Sequence, residues 1–374
     1  MLEVLYTLGE YTGVFPQKNK TDDYKNVLNI LVVFYAAIGV FWFGVNVLMN
    51  SKATLLDMVD AIYTMESECS LLYYYMISIH TRKPALKLYN DVTDFTTFGK
   101  PKTLEREETR ICKIYKIIVG YGIVAPTVTN GFYLATYDWC MRSHRNDDDI
   151  QYCGYTFGIY YPYNFEKGVS FIIHTAINWY SFVFLSLVAL TLVGYTICVA
   201  RYLVLKIDHL NTMLSEVLKN DAVNRRELLK KCIRYHKHII SLVDGLNELH
   251  SMNNAPAIFL YSTIIGVCLF YLTNEYNTKA IALACGYIGG IFCLNFAGQM
   301  ILEKSETVGV AAYNMEWYNA DSSTAKDIMF IIIRSQVPLK YKAGPFGTMS
   351  LIFFGSILRG AYTYMTMQTD IKEK

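Results

Sequence analysis

Five residues near one end of this 374-residue chain have the types and spacing to act together. Ser356, Arg359, Thr363, Thr366 and Asp370 recur at intervals of three, four, three and four. That is the heptad spacing by which one helix face meets other helices, but here the seam is polar instead of apolar. Phe346 to Gln368 is otherwise apolar and long enough for one bilayer crossing, and Pro338, Gly344 and Pro345 break whatever precedes it. Polar groups in hydrocarbon are costly unless they meet water or partner groups. The stripe therefore either lines an aqueous path among copies of the same helix or makes a polar contact inside one bundle, and the spacing serves both readings equally.

Other residues invite chemistry and lose it in context. Gly120-Tyr-Gly122-Ile-Val-Ala125 has the form of a dinucleotide turn but sits in an apolar span with no strand before it, so small-residue helix packing is expected. Gly286 and Gly290 form a GxxxG pair with the same expectation. Cys232 and His236 are one helical turn apart and could begin a metal site, but no second pair accompanies them and His238 points to another face, so no metal is expected. GxSxG, P-loop and HExxH motifs are absent, so neither an enzyme nor a cofactor is expected. Paired ionisable residues deep in the spans, as proton-coupled transport would use, are lacking too.

The elements that must position the stripe follow from composition. The chain is 53% hydrophobic with 18% charged residues and a net charge of +2, and its mean hydropathy is +0.23. Nucleic acid is not implied; an all-α polytopic membrane protein is. Seven spans fall near 27–48, 62–79, 114–136, 168–200, 255–274, 280–301 and 346–368. The second holds Glu66 and Glu68, which are expected at its mouth. Met1 to Asn26 is polar and mixed, so no cleaved leader is expected.

Of 34 Lys and Arg, 26 lie in segments 1–26, 80–116, 201–254 and 302–345, and only five lie in the segments between them. The positive-inside rule then puts the N-terminus in the cytoplasm and, with seven spans, the C-terminus outside, the reverse of a G-protein-coupled receptor. The sequon Asn19-Lys20-Thr21 should stay unglycosylated. Segment 137–167 becomes an outer loop with an acidic run, Asp147 to Asp149, and two cysteines, Cys140 and Cys153, which either pair in a disulfide or stay as two thiols. In 201–254, helical patterns run through Leu210, Leu214 and Val217, break at Lys219 to Arg226, and resume through Leu229, Cys232, His236, Ile239 and Val243. In 302–345, Thr324 and Asp327 read as a capping box ahead of Ile328 to Arg334. The chain thus divides into the N-terminal segment with four spans (1–200), cytoplasmic anchor helices (201–254), two spans (255–301), a second anchor segment with a pre-helix (302–345), and the last helix with a short tail (346–374).

The C-terminal third carries a specific resemblance. Ala312-Tyr313 precedes Glu316-Trp317-Tyr318; Arg334-Ser335-Gln336-Val337-Pro338 follows, then Ala343-Gly344, Met349-Ser350-Leu351, Ile357-Leu358-Arg359 and Tyr362-Thr363-Tyr364. With His236 in the fourth-to-fifth connection, this resembles the insect odorant receptors, seven-span odorant-gated cation channels of inverted topology. Length and span count fit throughout, while the first two thirds add little motif specificity.

The resemblance implies four subunits meeting around the last span, a cytoplasmic anchor bundle making most subunit contacts, and plasma-membrane residence in dendrites of olfactory neurons. Aligned on Thr363-Tyr364, it implies a pore lined by Ser356, Arg359, Thr363 and Thr366, a hydrophobic gate at Met367, and a last polar ring at Asp370 with Ile371 beside it. Gustatory receptors of the same superfamily end in five apolar residues and Gln-Phe after their TY, and the shared coreceptor has Gln at the first of those two positions. Asp370 and Ile371 depart from both, which implies an odorant-tuned subunit assembled with the coreceptor. Four Asp370 side chains in one ring would repel each other. The ligand would be a small volatile, aromatic or phenolic, held within the membrane between the outer halves of the second, third, fourth and sixth spans. The candidates there are Cys69, Leu72, Tyr73, Asn130, Phe132, Tyr133, Thr136, His174, Asn178, Trp179, Ile281 and Cys285. Membrane lipids and permeating cations complete the expected partners.

Overall fold

The computed structural model describes residues 2–16, 23–137, 139, 158–161, 163, 168–219, 222–274 and 278–372, and nearly all are helical. Nine α-helices follow in order among them: α1 Leu2–Thr12, α2 Asp23–Met49, α3 Leu55–Thr93, α4 Leu104–Ala135, α5 Gly168–Val217, α6 Ala222–Asn274, α7 Thr278–Tyr313, α8 Ser322–Ser335 and α9 Leu351–Lys372. Short 3-10 turns occupy Trp317–Asn319 and Gly344–Phe346.

Five helices, α2, α4, α5, α6 and α7, contain stretches long and apolar enough to cross a membrane. The second and seventh expected spans lie in α3 and α9, of 39 and 22 residues. Asp57, Asp60, Glu66 and Glu68 in α3 and the polar stripe in α9 lower their apolarity. Glu66 and Glu68 are not at a helix mouth. They lie about 16 to 20 Å along α3 at 1.5 Å per residue, where Glu68 is buried and Glu66 accepts a hydrogen bond from Thr263 of α6.

Helix boundaries have local causes. Thr54 and Asp57 cap α3 reciprocally: Asp57 N–H donates to Thr54 Oγ1 (3.2 Å) and Thr54 N–H to Asp57 Oδ2 (2.9 Å). The start of α8 departs from the expected Thr324–Asp327 box, because Asp321 takes the cap and accepts from Thr324 N–H at 3.1 Å. The polar break expected at 219–226 is shorter: α5 ends at Val217 and α6 already begins at Ala222. By contrast α6 runs through Pro256 without a break, so anchor segment and span are one helix. The last helix starts at Leu351 instead of Phe346: Pro345 sits in the 3-10 turn, Lys342 pairs with Thr348 in an isolated bridge, and Gly347 takes φ 141°.

One large core joins the two ends of the bundle. At the end holding α8, Leu210, Leu214, Val217, Leu229, Cys232, Tyr235 and Ile239 are buried between α5 and α6. Where this end meets water, each large apolar side chain contributes about 1.5–3 kcal/mol. Within hydrocarbon that force vanishes, and close packing and hydrogen bonds replace it. Lys206 is fully buried in this end, its Nζ donating to the Asp94 carbonyl and standing 4.3 Å from the Phe95 ring centroid. Lys304 pairs with Asp208 at 2.6 Å, tying α7 to α5.

Candidate functional site

Helix α9 buries one face and leaves the other bare. Ile357 and Ala361 are buried, and the backbone approach to α6 and α7 is close. A Cβ on Gly266 would stand 2.7 Å from the Ala361 carbonyl oxygen, and one on Gly298 would stand 2.3 Å from that of Met349. On the opposite face Ser356, Arg359, Thr363 and Asp370 are exposed, Thr366 is half-buried and Met367 is 51% exposed. The hydroxyls are satisfied along the helix itself: Ser356 donates to Ile352 O (3.2 Å), Thr363 to Arg359 O (3.0 Å) and Thr366 to Thr363 O (2.9 Å). Among the described residues the stripe hydroxyls thus make no hydrogen bond to another helix of this chain. Ile371 lies in the last turn of α9.

The connector leading into α9 is held by side chains of α6 and α7. Asn247 Nδ2 donates to Lys340 O and its Oδ1 accepts from Lys342 N–H, both at 2.8 Å. Asn254 donates to the buried Tyr341 hydroxyl (2.8 Å), Gly344 N–H to Ser251 Oγ (3.1 Å), and Ser350 N–H to Asn295 Oδ1 (3.1 Å). Gly344 adopts φ 58°, a conformation that favours glycine, and a Cβ there would meet the Ala255 Cβ at 3.0 Å.

A cavity of about 150 Å³ lies among α3, α4, α5, α6 and α7. Tyr121, Phe182, Tyr261 and Tyr287 form aromatic walls, and Thr129, Ser186 and Lys279 bring polar groups. Tyr287 is fixed by Ser67 (2.8 Å) and Ser70 (3.0 Å). Lys279 is buried, paired with Asp60 at 2.9 Å and hydrogen-bonded to Thr64 Oγ1 at 3.2 Å. Gly286 and Gly290, expected to pack helices, line this cavity instead, and a Cβ on either would meet nothing within 4 Å. Of the Gly120–Gly122 pair, only Gly122 packs closely, against Leu190 of α5; Gly120 faces open space.

The cavity involves the expected helices together with α6, but none of the twelve expected ligand residues is among its lining residues. His174 is buried in an aromatic cluster between α2, α5 and residues 161 and 163. Its Nδ1–H donates to Ser170 O (2.7 Å), and Nε2 faces the hydroxyls of Tyr35 (2.9 Å) and Tyr163 (2.8 Å). Asn178 is buried one turn below, and Trp179 is exposed. Asn130 is buried, Phe132 exposed, and Tyr133 and Thr136 half-buried near the end of α4. Leu72 and Tyr73 are half-buried, as is Ile281, while Cys69 and Cys285 are exposed. Sequence reasoning misses the cavity tyrosines because 31 tyrosines offer no periodic signal of their own; Lys279, the lone cation at the start of the sixth span, is the available clue. Cys140 and Cys153, the acidic run and the sequon at Asn19 lie outside the described residues.

In the anchor end, burial and the Arg334 guanidinium push the His236 pKa down to about 4, and burial alone does the same for His250. Burial pushes the Cys232 thiol up to about 12. Among the described residues no three His, Cys, Asp or Glu side chains converge as metal ligands.

The family model for 7tm Odorant receptor matches residues 98–362. Odorant receptor 10 of Aedes albopictus is 31% identical over 141 residues, 37% of this chain and 38% of that receptor. The odorant receptor coreceptor of Anopheles gambiae is 26% identical over 156 residues, 39% of this chain and 32% of that protein. The aligned stretches thus cover less than two fifths of these relatives' length. The olfactory receptor OR5 of Machilis hrabei, solved in complex with eugenol, superposes with a TM-score of 0.80 over 99% of this chain and 98% of its own, at 14% identity.

Proposed function

The chain belongs to the 7tm odorant receptor family, and on that premise we propose that it is an odorant-tuned subunit of a ligand-gated cation channel. The observation that carries the reading is the exposed polar face of α9. A polar seam on a membrane-spanning helix, unpartnered within its own chain, is matched by water and by copies of that helix around a pore. In this reading Ser356, Arg359, Thr363 and Thr366 line the path, Met367 narrows it, and Asp370 with Ile371 forms its outer end. Four Asp370 carboxylates at one level would repel, so assembly as a heterotetramer with a coreceptor, whose ring differs, is favoured. The N-terminus is cytoplasmic and the C-terminus outside, in the plasma membrane of olfactory sensory neurons and their dendrites.

The cavity is the odorant site of this account, in place of the twelve residues expected from sequence, none of which lines it. A volume near 150 Å³ is of the order that accommodates benzene. Its aromatic walls and few polar groups suit a compact aromatic or phenolic odorant oriented by one hydrogen bond. The eugenol bound by the Machilis hrabei receptor is of this class. Odorant binding shifts a closed-to-open population by as much as the ligand prefers the open state. The link to the pore helix is direct, because α6, which walls the cavity at Tyr261, packs at Gly266 against Ala361 and Tyr364 of α9.

Whole-cell current tests the proposal in cells expressing this chain alone, or with a coreceptor, against an odorant panel. Odorant-evoked cation current only on co-expression supports a tuning subunit. Equal current from the chain alone overturns the heteromeric assembly, tastant-only responses favour a gustatory channel, and a current that requires G protein overturns the channel reading.

A further inference from the structure

The lipid-facing side of α4 changes character along its length. Arg106, Arg110 and Lys113 follow at intervals of four and three and so share one face, with Lys116 at its shoulder. All four are exposed, and the Arg110 side chain is 67% exposed. The same face continues as Ile117, Val124 and Val128, which are 73%, 59% and 64% exposed. A face that is bare and apolar from Ile117 to Val128 and basic before it suits acyl chains along its apolar part and headgroups at its basic end.

Depth gives the row its meaning. From Lys116 to Thr136 is about 30 Å of helix at 1.5 Å per residue, the thickness of the hydrocarbon core. Lys113, Arg110 and Arg106 then lie about 5, 9 and 15 Å outside its boundary, whereas the polar layer of one leaflet is only about 5–8 Å thick. A simple glycerophosphate reaches the lysines and not the arginines. Nearby acids are largely engaged: Glu107 pairs with Arg201 and lies 4.0 Å from Arg110, and Glu108 accepts from the Tyr202 hydroxyl at 2.8 Å. Among the described residues Glu107 and Glu105, the latter exposed at the start of the helix, oppose the row, while Lys100 and Lys102 in the preceding loop add to it.

We propose that this face of α4 binds a polyphosphorylated inositol lipid. Lys113 and Lys116 meet the glycerol-linked phosphate, and Arg106 and Arg110 take the outer ring phosphates, for which the guanidinium fork is suited. The site uses neither the odorant cavity nor α9.

The test uses the full-length protein in phosphatidylcholine nanodiscs, titrated with a fluorescent short-chain phosphatidylinositol bisphosphate. Saturable binding is expected, weakened about tenfold or more in R106Q/R110Q/K113Q and several-fold in Arg106→Gln alone, an exposed position that keeps the test valid if the triple variant does not fold. Unchanged affinity in either folded variant overturns the site. Free inositol trisphosphate binding as tightly as the lipid would make it a soluble-anion site. Phosphatidylserine competing mole for mole would reduce it to generic charge attraction, and either result defeats the proposal. Because nanodiscs expose both faces, the outcome does not depend on the topology or the channel reading.

Discussion

At the residue scale, Gly286 separates ligand binding from folding. Its missing side chain opens onto the cavity, and a Cβ there touches nothing. Gly286→Val should therefore leave thermal stability close to wild type while occupying odorant space. The expected effect is a rise of about tenfold or more in the half-maximal odorant concentration, or about 1.4 kcal/mol. An unchanged dose–response would remove the cavity as the odorant site. The buried histidines give a pH signature. His236 and His250 are held neutral by burial, with pKa values of about 4, whereas the unfolded chain takes up their protons near 6.5. Their contribution is thus complete above about pH 6.5 and is lost as pH falls from there toward 4, by about 1–2 kcal/mol per histidine at pH 5. The melting temperature of purified protein should drop between pH 7 and 5, and His236→Gln should shrink that drop. The residue scale is also where the sequence is least legible. His174 reads as a ligand group by type and depth, but its ring nitrogens are taken by Ser170, Tyr35 and Tyr163. Those partners come largely from distant segments that no local spacing reveals.

At the element scale, the connector between α8 and α9 carries the mechanical argument. Its Leu339, Tyr341, Ala343 and Met349 are buried in the core, and asparagine and serine side chains of α6 and α7 fix its backbone between them. Asn247→Ala removes the hydrogen bonds to the Lys340 carbonyl and the Lys342 amide, both exposed, at a cost of about 0.5–1.5 kcal/mol. The expected result is normal surface expression with odorant responses shifted to higher concentration, because cavity and pore helix become loosely coupled. Gly344→Ala meets both a positive φ and the Ala255 side chain, so about 1–2 kcal/mol of stability should be lost. A thermal melt checks that figure. Most helices are legible in the sequence because apolar runs and three-four spacing survive any tertiary arrangement. The continuity of α6 through Pro256 is not, since a proline reads locally as a break, and neither is the fold-back at 342–348, whose pairing depends on contacts to other helices.

At the scale of the whole molecule, charge asymmetry and the α9 stripe make one account. If the basic segments face the cytoplasm, an epitope at the N-terminus should be stained only after permeabilisation; staining of intact cells would invert the bundle and its pore. The stripe is legible in the sequence because its period is intrinsic to the helix. Whether it meets another helix of its own chain is not, and the bare face of α9 answers that. The central claim is tested most directly by placing cysteines at Ser356, Thr363 and Thr366 in turn and applying a charged thiol reagent while odorant-evoked current is recorded from the co-expressed channel. The account predicts progressive, irreversible change in current at Thr363→Cys and Thr366→Cys, with none at Leu358→Cys, which lies two residues past Ser356 and so on another face of α9. Indifference at all three stripe positions would contradict it.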